Sequence, residues 1–230
     1  MARSTLIWPE FVKLDRATLI PILGNFTTFT DISSEGSAAT LFLQCFQMKV
    51  QLDANYGTLA LQLEASTNST RRSNVGGFHS VGNLFTQEND IDRGFNSLRE
   101  IIWDQVKELN NAQKNKPTTH EPKQFKPAEA WVNVMHKSHY HDLHDHCGAT
   151  HSGVVYIEVG KNGGDSAFTI FRPSVNAEES SCEYVAVKPR NGVVVHFPAN
   201  QVHGVSEFKG NTRISLSFNF FVGSSAPRYL

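Results

Sequence analysis

The pattern of apolar and polar residues changes near the middle of the chain. In residues 87–111, apolar side chains recur every three or four positions, which predicts an amphipathic helix with Thr86 as its N-cap. Residues 37–50 fit either a strand or a helix, and we favour a helix. Residues 112–127 are polar and contain three prolines, so they predict a linker.

After this linker, short segments rich in Val, Ile, Phe and Tyr alternate with turn residues. They predict strands at 129–136, 152–159, 166–171, 183–188, 192–197, 202–206 and 212–222. Many short strands in such a length are typical of a β-sandwich or barrel. We therefore predict a mainly β fold with supporting N-terminal helices on one face of the sheet. Its two regions, 1–126 and 127–230, are expected to form one structural unit.

The last predicted strand has two chemically different faces. Side chains alternate along a strand, so one face carries Ile214, Leu216, Phe218, Phe220 and Val222. The other carries Arg213, Ser215, Ser217, Asn219 and Phe221. An arginine is costly to bury without a partner. The polar face therefore meets solvent or lines a wet cavity that holds an anion.

Composition narrows the function classes. Lys plus Arg total 21 and Asp plus Glu total 22, for a formal net charge of −1, which argues against a strongly basic nucleic-acid-binding face. No apolar run is long enough to span a membrane or to act as a secretory signal. The three widely spaced cysteines, Cys45, Cys147 and Cys182, indicate a reducing, cytoplasmic compartment.

Histidines are concentrated in one short stretch. Of ten in the chain, six lie between positions 136 and 151. If HYHDLHDH (139–146) is extended, His144 and His146 project to the same side, and two such imidazoles can bind one metal ion. Neutral imidazole suits Fe, Zn, Cu and Ni. Asp142 shares that side and is an alternative ligand, whereas His139 and His141 would face away.

Further downstream residues complete the candidate site. His203, in a short segment between two predicted strands, is the best candidate for a third metal ligand, and His196 is the second. Arg213 follows His203 after a turn, and its guanidinium suits a carboxylate-bearing co-substrate. Ser215, on the same face of that strand, can add a hydroxyl donor.

The order of these motifs resembles a known family. HDLHDH, SGVVYIEV, VKPRNGVVVHFPANQVHGV and RISLSFNF are similar to the double-stranded β-helix (jelly-roll, cupin-like) core of the Fe(II)- and 2-oxoglutarate-dependent oxygenases. More narrowly, they resemble an uncharacterised bacterial and bacteriophage family of such oxygenases. The upstream SNVGGFHS (73–80) also matches, with Phe78 where tryptophan is usual. The resemblance covers roughly residues 73–222.

The resemblance implies Fe(II), 2-oxoglutarate and O2, and a hydroxylase that releases succinate and CO2. Its metal-ligand positions fall on His144, His146 and His203. Most of the wider superfamily has a carboxylate at the second position, where this chain has His146. We favour three histidine ligands, with Asp142 as the alternative carboxylate.

The resemblance also implies a co-substrate site. Its arginine for the distal carboxylate of 2-oxoglutarate falls on Arg213, followed by Ser215. Its supporting tyrosine falls on Tyr156, and Asn133 is a further candidate for contact with the co-substrate or a metal-bound water. The substrate, a small molecule or a peptide, is not defined by these residues, and a homodimer is compatible with the family.

Two other functions fit parts of the pattern. A cupin-like dioxygenase or isomerase that does not use 2-oxoglutarate would use His196, but the glutamate expected shortly after the His-x-His pair is missing and Arg213 would have no role. A jelly-roll binding module without catalysis is the third candidate. The role of Cys147, beside the histidines, is left open.

Overall fold

The computed structural model describes residues 5–7, 44–47, 55–85, 94–95, 98–100, 102, 125–146, 148–160, 167, 169–171 and 185–222. Helix α1 is Asn55–Ser66. The strands are β1 Thr5–Ile7, β2 Gln44–Gln47, β3 Asn74–Val75, β4 Phe78–His79, β5 Phe125–His136, β6 Tyr140–His144, β7 His151–Glu158, β8 Thr169–Phe171, β9 Val185–Val187, β10 Val193–Pro198, β11 His203–Val205 and β12 Thr212–Val222.

The strands form two antiparallel sheets. The major sheet has the order β1-β2-β10-β7-β12-β5-β4, and the minor sheet has the order β3-β6-β11-β8-β9. At the centre of the major sheet, β12 pairs with β5 on one side and β7 on the other. Ser215, Ser217 and Asn219 of β12 thus have cross-strand neighbours on both sides, which fixes their positions.

The apolar face of β12 packs into the larger hydrophobic core, as its alternation predicts. Ile214, Leu216, Phe218 and Phe220 are fully buried there, together with apolar residues of β5 and β7. Helix α1 covers the same face through Tyr56, Ala60 and Leu63. The prediction that N-terminal helical structure covers one face of the sheet is confirmed for this helix.

The turn between β3 and β4 carries the chain from the minor sheet to the major sheet. Gly76 and Gly77 both have φ +67°, a left-handed conformation that favours glycine. A Cβ on Gly77 would lie 2.8 Å from the carbonyl oxygen of Val134. The paired glycines of the SNVGGFHS segment therefore permit a tight turn that brings its two flanks to the same cavity.

All seven strands predicted after the linker are present, although some are shorter than expected. The helix favoured for 37–50 is wrong where the chain is described, because Gln44–Gln47 is strand β2, paired between β1 and β10. Pairing with distant strands decides such an ambiguous segment. Helix α1 and the short strands β1 and β3 were not predicted.

Two other predictions fall largely outside the described residues. In the predicted helix 87–111, only Leu98–Glu100 and Ile102 are described as helical, and Leu98 and Ile102 are fully buried. The predicted linker is described only from Phe125, where β5 begins and continues across the boundary proposed at residue 126. The division into two regions stays a prediction. In the described parts of the chain, no helix could cross a membrane.

Candidate active site

A cavity of about 1330 Å³ lies between the two sheets. Its wall on the major sheet includes the polar face of β12, namely Arg213, Ser215, Ser217 and Asn219. The minor sheet contributes His141 and His144 from β6 and His203 from β11. Of the two alternatives left open for this face of β12, open solvent or a polar cavity, the structure has the cavity.

Three histidines converge in this cavity. His144, His146 and His203 each offer one ring nitrogen, and these three atoms lie within 4.8 Å of one another. His203 is buried, and the other two are half-buried. β6 and β11 pair so that His144 lies directly opposite His203, and His146 follows two residues after the end of β6. Imidazoles gathered in this way form a three-histidine group able to hold a metal ion.

Hydrogen bonds orient all three rings in the same sense. Nδ1–H of His144 donates to the carbonyl oxygen of Asp142 at 2.8 Å, and that of His203 to the carbonyl oxygen of Gln201 at 2.8 Å. Nδ1–H of His146 donates to Oδ1 of Asn219 at 2.7 Å. Each neutral ring then has its lone pair on Nε2. Such outer hydrogen bonds fix the tautomer of a metal-binding histidine.

The Nε2 atom of His146 provides a direct test of fit to a metal ion. This atom is buried and has no hydrogen-bond partner among the described residues. A buried nitrogen lone pair without a partner is unfavourable. A divalent metal ion bound by the three Nε2 atoms would satisfy it, so these residues fit an Fe(II) ion.

The pKa values of the three rings favour the metal-binding form. Burial lowers the pKa of His144, lowers that of His146 to about 4, and lowers that of His203 well below its ordinary value. The rings also lower one another's pKa values in the charged state. They are therefore neutral at pH 7, as metal coordination requires.

A β-bulge changes which residues of β6 share a face. His203 pairs with His144, but Val205 pairs with His141, so three steps on β6 match two on β11. His141 therefore lies on the same side as His144, where it is buried and lines the cavity. The predicted alternation, with His141 facing away and Asp142 beside His144, is wrong. Asp142 is exposed at the cavity wall and is not part of the histidine cluster.

Arg213 is a buried cation in the same cavity, with 1% of its surface exposed. Its Nη1 donates to Oγ of Ser215 at 3.1 Å, and its guanidinium lies 5.2 Å from the ring centre of Tyr156. Its Nε is buried without a hydrogen-bond partner, and no carboxylate forms an ion pair with it among the described residues. Burial lowers its pKa from the ordinary value. An anion bound from solution would supply the missing counter-charge.

Two further cavity residues add polar groups to this region. The hydroxyl of Tyr156 forms a 2.6 Å hydrogen bond with that of Thr169 on β8, a residue that the sequence did not single out. Asn133 lies opposite Ser215 on β5 and donates from Nδ2 to Oγ of Ser217 at 3.0 Å. Its buried Oδ1 has no partner among the described residues and can accept a hydrogen bond from a ligand.

Other residues around the histidines were also missed. Oγ of Ser73 lies 3.4 Å from Nε2 of His144, and Trp131 stacks on His146 with ring centres 5.4 Å apart. Ser73 belongs to the SNVGGFHS segment, and Trp131 to the first predicted strand. Both were visible as parts of motifs, but only tertiary structure places them beside the metal-binding rings.

His196 lies outside the cluster. Its ring stacks on His151, with centres 5.1 Å apart, and it is not among the residues that could hold the metal. Of the two candidates for the third ligand, the first choice, His203, lies in the cluster and the second choice, His196, does not. Cys147, whose role was left open, falls outside the described residues.

Comparisons with known proteins agree with this site. Residues 129–219 match the family model described as "Putative 2OG-Fe(II) oxygenase". No protein of curated function matches the chain at a significant level. The matched segment includes every residue of the histidine cluster and the buried arginine.

Solved structures share the fold. An oxidoreductase of the 2OG-Fe(II) oxygenase family from Burkholderia pseudomallei has a TM-score of 0.56 at 14% identity, covering 81% of this chain and 88% of that chain. A prolyl-4-hydroxylase from Pseudomonas putida has a TM-score of 0.53 at 16% identity, covering 82% and 96%. HygX from Streptomyces hygroscopicus, with nickel and 2-oxoglutarate bound, has a TM-score of 0.54 at 10% identity, covering 91% and 87%.

At these identities the solved structures show the fold, a double-stranded β-helix, and the family match adds the chemistry. The two predicted alternatives, a cupin-like enzyme without 2-oxoglutarate and a module without catalysis, have no support in these matches. Residues 129–219 of this chain therefore match the model of a 2OG-Fe(II) oxygenase family, and the resemblance to enzymes that use Fe(II), 2-oxoglutarate and O2, stated from the sequence, is confirmed.

Proposed function

We propose that this enzyme hydroxylates a C–H bond of a small-molecule or peptide substrate, with conversion of 2-oxoglutarate and O2 to succinate and CO2. In this proposal, His144, His146 and His203 bind Fe(II) through their Nε2 atoms. Arg213 binds the distal carboxylate of 2-oxoglutarate. The bound metal would supply O2 activation, and the protein would supply geometry, orientation and exclusion of water.

One observation carries this assignment. Three neutral imidazoles with Nε2 lone pairs face the same cavity as one buried guanidinium that has no carboxylate partner in the described part of the chain. Three neutral ligands leave the charge of a divalent ion uncompensated, and Arg213 adds another positive charge. A dianionic keto acid that spans both groups would neutralise both.

The remaining polar groups have complementary tasks in the proposal. Ser215 and Tyr156 hold the guanidinium of Arg213 in place, through a hydrogen bond and a ring contact. Asn133 offers its free Oδ1 to a donor on the ligand or to a bound water. Oγ of Ser73, close to Nε2 of His144, can donate to an oxygen atom held beside the metal.

The substrate would enter where the cavity is lined by residues outside the two sites. These include Thr70, Val81, Gly82 and Asn83, on the segments just before β3 and just after β4. A cytoplasmic location and a homodimer stay predictions from the sequence and the family resemblance.

The test is an anaerobic titration of metal-free protein with Fe(II) and then 2-oxoglutarate, followed by visible absorbance. We expect a charge-transfer band between iron and the keto acid. His203→Ala should abolish iron binding. The matched control, His196→Ala, removes another buried histidine, which is not among the residues that line the cavity, and should leave both iron binding and the band intact.

Three results would contradict the proposal in different ways. Absence of iron binding by the wild-type protein would remove the metal site. Iron binding without a band on addition of 2-oxoglutarate would remove the co-substrate. Loss of iron in His196→Ala but not in His203→Ala would favour the cupin-like alternative.

A further inference from the structure

The three-histidine cluster has a carboxylate behind it rather than within it. We propose that Glu129 acts through Asn219 as a positioning residue for His146, supplying the negative charge that the metal-binding group itself lacks. This inference rests on the proposed function, because it assumes that His146 binds the metal ion.

A continuous chain of hydrogen bonds connects the two groups. Nδ1–H of His146 donates to Oδ1 of Asn219 at 2.7 Å, and Nδ2 of Asn219 donates to Oε1 of Glu129 at 2.6 Å. The hydroxyl of Ser152 also donates to Oδ1 of Asn219, at 2.5 Å. Because two donors converge on Oδ1, the amide has one consistent orientation, with its NH2 group toward the carboxylate.

The register of the major sheet builds this chain. Asn219 on β12 lies directly opposite Glu129 on β5 and Ser152 on β7. The three side chains are thus cross-strand neighbours on adjacent strands, where paired Cβ atoms are close. Asn219 is 4% exposed and Ser152 is fully buried. The relay is therefore held by the centre of the sheet and not by a loop.

The location of the charge matters for the metal. A carboxylate that accepts a hydrogen bond from a ligating histidine orients the ring and raises its basicity. Here an amide is inserted between carboxylate and ring, and each hydrogen bond polarises the next. Asp142 and Asp145 also line the cavity and interact electrostatically with the histidines. Both are exposed, so water weakens these interactions. Glu129 is half-buried and connected to the ring by direct bonds.

His146 depends on this support more than the other two histidines. His144 and His203 donate to backbone carbonyls within two residues of themselves, so their orientation is local. His146 lies beyond the end of β6 and relies on a side chain 73 residues away and on the stacked ring of Trp131. Loss of the relay should therefore release one ligand and not the whole cluster.

The discriminating variant is Glu129→Gln, which keeps the side-chain shape and a carbonyl acceptor but removes the charge. The probe is Zn(II), which has no redox chemistry, titrated into metal-free protein against a chelator of known affinity. We expect the Kd for Zn(II) to rise about 10- to 100-fold. The matched control is Asp145→Asn, which removes an exposed cavity carboxylate and should change the Kd less than about threefold.

A second readout separates the charge from mere structure. With Fe bound, Glu129→Gln should shift the Fe(III)/Fe(II) midpoint potential upward, because loss of a negative charge destabilises Fe(III) more than Fe(II). Asn219→Ala should weaken Zn(II) binding at least as much as Glu129→Gln. The double variant should resemble Asn219→Ala alone, since Glu129 would act only through the amide.

The outcomes are distinct. Zn(II) affinity and potential unchanged in Glu129→Gln would overturn the inference, and so would additive losses in the double variant. Wild-type protein that binds no Zn(II) or Fe(II) would overturn the proposed function itself. Wild-type binding that is weakened by Glu129→Gln and spared by Asp145→Asn supports the relay.

Discussion

The two ends of the polar face of strand β12 differ in how completely their buried groups are paired: a cation without an ionic partner lies at one end, and a fully hydrogen-bonded amide lies at the other. At one end, Arg213 is buried with hydrogen bonds only to neutral groups and without a carboxylate among the described residues. At the other end, Asn219 is fully hydrogen-bonded, to His146, Ser152 and Glu129. Both residues lie on the same polar face of the same strand.

The Arg213 end therefore has the properties of a ligand-binding site, whereas the Asn219 end has those of a support that orients a ligand-binding side chain. Unpaired buried charge is unfavourable, so the Arg213 end is stable only because the rest of the sheet holds it in place. The Asn219 end has no unpaired charge, and its hydrogen bond instead holds the ring of His146 in place. The co-substrate end should therefore gain most from binding, and the metal end should depend most on the protein's own hydrogen bonds.

The largest effect expected from a single change is at the incomplete end. Arg213→Met should raise the Kd for 2-oxoglutarate about 1000-fold, since a desolvated charge pair contributes about 4 kcal/mol. The same change should leave the Kd for Zn(II) within about threefold. Isothermal titration of the Zn(II)-loaded protein with 2-oxoglutarate measures the first quantity.

Arg213→Met also tests whether the arginine lacks an ionic partner in the ligand-free protein. Since it replaces an uncompensated buried charge with an apolar side chain, the ligand-free variant should be as stable as wild type or more stable. A large loss of stability, measured by urea unfolding, would mean that the arginine is already paired within the protein. That result would remove the contrast between the two ends.

Acid should expose a second contrast, between histidines that a metal protects and one that it does not. Burial lowers the pKa of His196 to about 3, against about 6.5 in an unfolded chain. The unfolded state then binds the proton more readily, so the stability is present above pH 6.5 and is lost as pH falls toward 3. Between pH 7 and pH 4.5, protonation linked to this residue alone should lower the free energy of unfolding by about 3 kcal/mol.

His196→Leu should remove that share of the acid sensitivity. The free energy of unfolding of the metal-free variant should fall by about 3 kcal/mol less than that of wild type over this range. Bound Zn(II) should suppress the separate contribution of His146, whose pKa burial lowers to about 4. An unchanged pH dependence in His196→Leu would show that His196 is accessible to protons in the folded state.

These contrasts also show what the sequence could and could not predict. The alternation along β12 is a local, period-two signal, so both the buried apolar face and the polar face with Arg213 were predictable. The bulge in β6 was not, because it arises from pairing with β11, and it makes His141 rather than Asp142 the buried neighbour of His144. Simple strand parity fails wherever a partner strand imposes an extra residue.

The supporting residues were hidden for a related reason. Glu129 and Ser152 become neighbours of Asn219 only through the register of three strands that are far apart in the sequence. Nothing in the spacing of a glutamate, a serine and an asparagine indicates that register. Motif matching found the groups proposed to bind the metal and the co-substrate, whereas the groups proposed to position them become neighbours only through the pairing of the sheet.

Strand β7, which pairs with β12, should connect the Arg213 end and the Asn219 end of the polar face rigidly. A Cβ on Gly153 of β7 would clash with the ring of Phe218 and lie 2.8 Å from the carbonyl oxygen of Val195. Gly153→Ala should cost about 2 kcal/mol in stability. Because β7 carries both Ser152 and Tyr156, its displacement should raise the Kd for Zn(II) and the Kd for 2-oxoglutarate by similar small factors.

Gly57→Ala is the control for this change. An added Cβ there meets only ordinary contacts, 3.4 Å from Oε2 of Glu158, within helix α1. It should be neutral or stabilising by about 0.5–1 kcal/mol. If Gly153→Ala weakened the binding of only one of the two ligands, the two ends of the polar face of β12 would be independent and not rigidly connected.

The smallest expected effect concerns a single hydroxyl at the incomplete end. Tyr156→Phe keeps the ring beside Arg213 but removes the oxygen that bonds Thr169 at 2.6 Å. One neutral hydrogen bond contributes about 1 kcal/mol, so the Kd for 2-oxoglutarate should rise about fivefold while Zn(II) binding is unchanged. Thr169→Val removes only the bond between the two hydroxyls, so its effect should be no larger than that of Tyr156→Phe, whose side chain also hydrogen-bonds Arg213. A loss as large as that of Arg213→Met would mean that the hydroxyl contacts the carboxylate itself, and the arginine would then share its charge-binding task with Tyr156.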